Sequence, residues 1–173
     1  MEILVRKAET ADLEIILEIY NHAIIHTTSV YSYQPHTLEM RTVWFREKTE
    51  HNYPVFVAET EGRVAGFASY GPFRMWPAYK YAMEHGVYVH TDFRQKGIAK
   101  KLMQQLIESA RENEVHTLIA GIDSSNEASI RLHEQLGFEE AAHLKEVGYK
   151  FDKWLDLKLL QLILDTPHFP NEN

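Results

Sequence analysis

Cysteine is absent from the 173 residues. This removes disulfides, thiolate metal sites and any cysteine-borne acyl intermediate. It fits a reducing cytoplasm. No run of about 18 apolar residues occurs, so no membrane-spanning helix is expected. The start, MEILVRKAE, lacks the basic-then-apolar pattern of a secretory signal. Basic residues are in deficit, with 18 Lys and Arg against 25 Asp and Glu and a net charge of −7. A phosphate-rich nucleic acid is therefore a poor partner. Walker, dinucleotide, zinc-protease and nucleophile-elbow patterns are all missing. Repeats, low-complexity tracts and interdomain linkers are missing too. The expectation is one domain over residues 1–164 and a loose tail over 165–173.

What is present reads as a mixed α/β layer fold. Ile3 to Arg6 suits a first strand. After Thr10, a candidate cap, Leu13, Ile16, Leu17, Tyr20 and Ile24 recur at helical spacing. Thr37 opens a second helix, with Leu38, Val43 and Trp44 as its expected inner side. Val55 to Tyr70 reads as a hairpin turning at Glu61-Gly62. An aromatic loop follows, then the strand GVYVH, a helix from about Gly97 to Asn113, and the strand HTLIAGI. A further helix starts at Ser/Asn and stops at Gly137. Phe138 to Val147 and Tyr149 to Leu164 form an expected closing hairpin.

One segment breaks the acidic trend. In HTDFRQKGIAKKL, the cations Arg94, Lys96, Lys100 and Lys101 fall within eight residues around Gly97. A strand, a glycine turn and a helix start make a common anion cradle. The first amides of a helix have no internal partner, and the helix dipole is positive there. Gly97 allows close backbone approach and Ala99 keeps the next turn open.

This segment resembles the acetyl-CoA loop of the GNAT N-acetyltransferase superfamily, R/Q-x-x-G-x-G/A, standing here as Arg94-Gln95-Lys96-Gly97-Ile98-Ala99. Downstream, Asn126-Glu127-Ala128-Ser129 and Gly137-Phe138 are similar to the second family element, N-x-x-S/A and G-F. YNHAI, AYKYAMEHGVYVH, IRLHEQLGF and KFDKWLDL resemble the phosphinothricin and methionine sulfoximine/sulfone acetyltransferase branch, over about Ile3 to Leu164. The resemblance implies a central, mostly antiparallel sheet, splayed at the cofactor site and flanked by helices. It implies acetyl-CoA as co-substrate, with the pyrophosphate on the backbone of Gln95 to Lys100 and the pantetheine arm along Val87, Tyr88 and Val89. Asn126, Ser129 and His133 would complete the cofactor contacts. A homodimer is implied by the same analogy.

Acetyl transfer to an amine needs a base for the ammonium, stabilisation of the oxyanion and a proton for the departing thiolate. By resemblance Glu84 supplies the base. Alone it reads as a solvated strand-edge acid, with an ammonium anchor as a further role. His85 is the competing base, on the opposite face by strand alternation. Backbone amides of Val87 to Val89 are oxyanion-hole candidates by resemblance. His133 lies seven residues after Asn126, on the same helical face. It is a candidate acid for the thiolate or a packing histidine.

Arg74 suits a substrate carboxylate, or a stack on the neighbouring aromatics. By resemblance Pro77, Ala78 and Tyr79 join it, and Tyr31 and Tyr33 offer a further wall. His22 and His26 are four apart but have no evident third ligand, so no metal is expected. The implied acceptor is the α-amine of methionine sulfoximine, methionine sulfone or phosphinothricin. Another small amine, a polyamine, a peptide N-terminus, or a CoA-binding module without turnover remain alternatives.

Overall fold

The computed structural model describes residues 2–172. Met1 and Asn173, the ends of the expected domain and tail, lie outside the described residues. The elements are β1 (Leu4–Lys7), α1 (Leu13–His26), α2 (Leu38–Glu50), β2 (Val55–Thr60), β3 (Arg63–Pro72), β4 (Ala82–Val89), α3 (Ile98–Glu112), β5 (Thr117–Asp123), α4 (Glu127–Gln135), β6 (Glu139–Lys150) and β7 (Lys153–Ile163). Seven strands follow the order β1-β2-β3-β4-β5-β7-β6. The β1/β2, β2/β3, β5/β7 and β6/β7 ladders are antiparallel, and β4/β5 is parallel. The expected mixed sheet with flanking helices is therefore present.

The chain groups into two compact units. The first holds residues up to 70 and 86–106; the second holds 71–85 and everything from 107. Within the first unit Leu13, Ile16, Ile19, Val55, Val57 and Phe67 form a core cluster. Each such buried side chain contributes about 1.5–3 kcal/mol. Thr37 caps α2 as expected, accepting from Met40 N–H at 3.2 Å. Thr10 does not cap α1. It lies in a 3-10 turn, and the Asp12 carboxylate takes the Glu9 N–H at 2.8 Å while pairing with Arg6 at 2.8 Å.

Of the three expected inner residues of α2, only Trp44 packs against the core cluster. Leu38 and Val43 are exposed, and the buried residue is Arg41. Its guanidinium lies 3.9 Å from the Tyr20 ring centre and 4.5 Å from that of Trp44, and it bonds His36 Nδ1 at 3.1 Å. Seven residues on, Lys48 donates to the Tyr70 carbonyl at 2.7 Å. Aromatic faces and a carbonyl can hold cations where no carboxylate stands. Hydrophobic patterning does not anticipate that arrangement.

Gly66 sets the spacing of the first unit. A Cβ there would meet the Tyr88 carbonyl at 2.7 Å and Ile98 and Leu102 at 3.2 Å. The start of α3 therefore sits close against the strands because Gly66 has no side chain.

In the second unit Leu118, Leu155, Leu160, Phe138, Val115 and Leu164 are buried. Asn126 caps α4, accepting from Ser129 N–H at 3.2 Å, and Gly137 follows with φ +90°. The closing hairpin turns later than expected. Gly148 lies within β6 opposite Leu155, and the turn is Phe151-Asp152, both at positive φ. The expected loose tail is tied down. The Thr166 carbonyl bonds His116 Nδ1 at 2.7 Å, and Asn171 bonds the Tyr81 hydroxyl at 3.1 Å.

Candidate active site

The cationic loop lies in the first unit. A 3-10 turn over Thr91–Phe93 ends β4, with Phe93 buried. Gln95 (φ +60°) and Gly97 (φ +82°) then bracket Lys96 in the left-handed region. Such turns gather successive N–H groups toward one side. The Lys101 N–H bonds the Gly97 carbonyl at 3.1 Å, so Ile98, Ala99 and Lys100 present the unpaired first-turn amides. A Cβ at Gly97 would meet nothing within 4 Å. Glycine is required there for its φ angle and leaves open space above the backbone.

The cations differ in placement. All four are exposed. The Lys96 ammonium lies 5.0 Å from the Phe93 ring centre. Burial first, then the charges of His26, Arg94 and His90, hold His22 below the usual histidine range. Val87, Tyr88 and Val89 are half-buried in the second half of β4. The parallel ladder with β5 ends at His85↔Ala120, so these residues lie beyond it. The Tyr88 ring stacks on Phe67 at 5.1 Å and folds back over Gly86, where a Cβ would meet it at 2.9 Å. A cavity of about 70 Å³ opens beside Val89, lined also by Glu18, Ile19, His22, His90 and Thr91.

The titratable groups lie in the second unit. Glu84 is inside β4, whereas the sequence had suggested a position before the strand; its partner in register is Ile119. As a residue it is exposed, yet burial of its carboxyl pushes its pKa above the usual value, and the Arg74 guanidinium pulls the other way. A Cβ on Gly121 would stand 3.1 Å from Glu84 Oε1. Gly121 is thus a site residue that the sequence reading passed over. Its signal was a glycine inside a strand, which marks a close approach.

Arg74 is exposed and lies 5.1 Å from the Phe73 ring centre. Pro77, Ala78 and Tyr79 form an exposed 3-10 turn, and Tyr79 meets Phe73 edge-on at 5.9 Å. A carboxylate at Glu84 with a guanidinium acting on it can receive both ends of a zwitterion. Tyr31 and Tyr33 are exposed in the loop of the first unit.

His85 points away from Glu84, as alternation requires, and meets α4. Its Nε2 lies 3.0 Å from His133 Nε2, with the rings stacked at 5.2 Å. His133 is 2% exposed, and its Nδ1 lies 2.7 Å from the Ser129 carbonyl. Phe138 packs against both rings. Burial, then the His133 charge, brings His85 down to about 3. Burial also lowers His133. Among the described residues, no group of three or more metal-ligating side chains comes together.

Known proteins are similar to this chain over nearly its whole length. The acetyltransferase (GNAT) family model matches residues 16–138. The L-amino acid N-acyltransferase MnaT of Escherichia coli is 44% identical over 96% of this chain and 97% of its own. The L-methionine sulfoximine/L-methionine sulfone acetyltransferase of Salmonella typhimurium is 42% identical over 96% of this chain and 98% of its own. A solved Salmonella typhimurium acetyltransferase structure, with its cofactor acetyl-CoA, superposes with a TM-score of 0.94 at 42% identity, covering 98% of each chain.

Proposed function

Since the chain belongs to the acetyltransferase (GNAT) family and is an acetyl-CoA-dependent N-acetyltransferase, we propose that its acceptor is the α-amine of a small amino acid or analogue of the methionine sulfoximine, methionine sulfone or phosphinothricin type. The observation that carries this reading is the charge of Arg74 acting on the Glu84 carboxyl. A carboxylate with a raised pKa takes the ammonium end, and the exposed guanidinium that acts on it takes the carboxylate end. The names of the relatives point to the same acceptor class.

In this reading the CoA pyrophosphate rests on the amides of Gln95 to Lys100, where the left-handed turn and the helix start converge. Arg94, Lys96 and Lys100 add attraction around it. The pantetheine arm runs along Val87 to Val89, whose position past the end of the β4/β5 ladder supports backbone contacts with a ligand. Asn126 and Ser129 belong to the cofactor end of α4.

Glu84 removes a proton from the ammonium, directly or through water. Burial of the Glu84 carboxyl favours this, because a carboxylate with a raised pKa is the stronger base. The freed lone pair attacks the thioester carbon in a ternary complex. A C–N bond forms, the C–S bond breaks, and CoA leaves as the thiol once its sulfur is protonated. No cysteine is present to carry the acetyl group between two half-reactions. The reading includes a cytoplasmic homodimer. The family resemblance supports the dimer, and the cysteine-free composition supports the compartment.

The test is thiol release from acetyl-CoA with methionine sulfoximine, methionine sulfone, phosphinothricin, ordinary amino acids and their decarboxylated amines. Arg74→Ala should raise KM for the carboxylate-bearing acceptors and leave the simple amines unchanged. Equal losses for both would remove Arg74 from carboxylate binding. Absence of release with every acceptor would overturn the acceptor class.

A further inference from the structure

The His85–His133 contact determines where its hydrogens lie. The Ser129 carbonyl can only accept, so the 2.7 Å contact places a hydrogen on His133 Nδ1. Among the described residues, no carboxylate acts on either ring. His85 responds to burial, His133 and the Ile119 backbone, and His133 to burial and the Ser129 backbone. Both rings are therefore neutral, and a neutral His133 with hydrogen on Nδ1 has a bare Nε2. Nε2 of His85 stands 3.0 Å away and must bring the hydrogen. The remaining nitrogen, His85 Nδ1, should then be bare. Independently, that atom is one of the buried side-chain nitrogens without a hydrogen bond of normal geometry. The Ile119 backbone acts to raise the His85 pKa, but burial outweighs it and keeps the ring neutral.

From this chain of contacts we infer that His85 is a positioning residue for acetyl transfer, its Nε2–H holding His133 in the Nδ1–H form with no proton on Nε2 to give. The inference rests on the transferase reading above and assigns work within it. The lock runs from β4, one residue past Glu84, through His133 to the Ser129 carbonyl in the first turn of α4. It fixes Ser129 and its cap Asn126 relative to the strand that carries the base. It also differs from the acid role expected for His133. Both ring nitrogens are occupied, so the leaving sulfur receives the second proton of the attacking nitrogen. The balance closes: the ammonium gives one proton to Glu84 and one to sulfur, the C–N bond replaces the C–S bond, and amide and thiol result.

Ring-nitrogen NMR of the 15N-histidine-labelled full chain, with and without CoA, tests the assignment. The expected spectrum has His133 Nδ1 and His85 Nε2 of pyrrole type and their other nitrogens of pyridine type. A protonated His133 Nε2, or a doubly protonated ring in the pair at neutral pH, would overturn the inference. His85→Leu should let the His133 forms mix and lower kcat/KM for acetyl-CoA on the order of 10-fold, as loss of precise positioning does. His85→Gln, which restores an N–H donor, should recover most of it. Unchanged kinetics in His85→Leu would overturn the positioning role. If the leucine variant does not fold, the wild-type spectrum and the glutamine variant still decide. A chain inactive toward every amine but showing the expected spectrum would fault the transferase reading and leave the hydrogen assignment standing.

Discussion

Gly121 leaves the space that the Glu84 carboxylate occupies: a Cβ there would stand 3.1 Å from Oε1. The contact is tight but involves the far end of a flexible side chain. Gly121→Ala should therefore displace the carboxylate without disturbing the β5/β7 ladder. The expected result is a kcat lowered on the order of 10-fold at nearly unchanged Tm. Steady-state kinetics and a thermal melt on one preparation check both parts, and wild-type kcat would separate Gly121 from the base.

Glu84→Gln should reduce kcat by about 10²–10⁴-fold, the range for loss of a positioned base. The acidic limb of the wild-type profile should lie above the ordinary carboxylate range, because burial raises the Glu84 pKa, and should vanish in the variant. The stability effect has its own sign. A carboxyl with a raised folded pKa stabilises below its unfolded value, and that contribution is lost as pH rises through the folded pKa. The glutamine variant should thus match wild type in acid and melt higher near neutrality.

Lys48 gives a second pH signature. Burial first, then the Arg41 charge, lowers its ammonium from 10.5 to about 8. Between those values the unfolded chain holds a proton that the folded chain has released, so stability rises with pH across that window. Denaturant titrations from pH 7.5 to 10.5 should show the rise in wild type and lose it in Lys48→Met.

Two glycines should fail for different reasons. Gly66→Ala drives a Cβ into the Tyr88 carbonyl at 2.7 Å, an overpacking that costs about 1–3 kcal/mol. Gly97→Ala meets no atom but strains the backbone at φ +82°, costing about 1–2 kcal/mol. The Gly66 variant should lose stability with and without CoA. The Gly97 variant should also raise KM for acetyl-CoA. Melts with and without CoA separate the two.

Local signals were readable in the sequence. The Thr37 and Asn126 caps, the Glu61-Gly62 turn and the Gly137 stop each depend on a few adjacent residues. The loop around Gly97 was readable because residue type and spacing constrain the backbone there. Contacts distant in the chain were not. His85 meets His133 across 48 positions, and Arg41 is buried against Tyr20 of another helix as well as Trp44 of its own. The Phe151-Asp152 turn was hidden because it takes positive φ without glycine, while Gly148 nearby suggested a break. The tail reads as loose because its partners, Val115, His116 and Tyr81, are some fifty to ninety positions away.

The bends at Gln95 and Gly97 are carried by the chain's own backbone, at φ +60° and +82°. With their conformational cost met when the chain folds, a ligand would have no rearrangement to wait for. CoA association in a stopped-flow mixer should be a single second-order phase, its rate constant growing linearly with concentration and never levelling off. The exposed cations of the loop should make that rate fall as salt is added. The twisted backbone then appears as speed of capture as well as strength of hold.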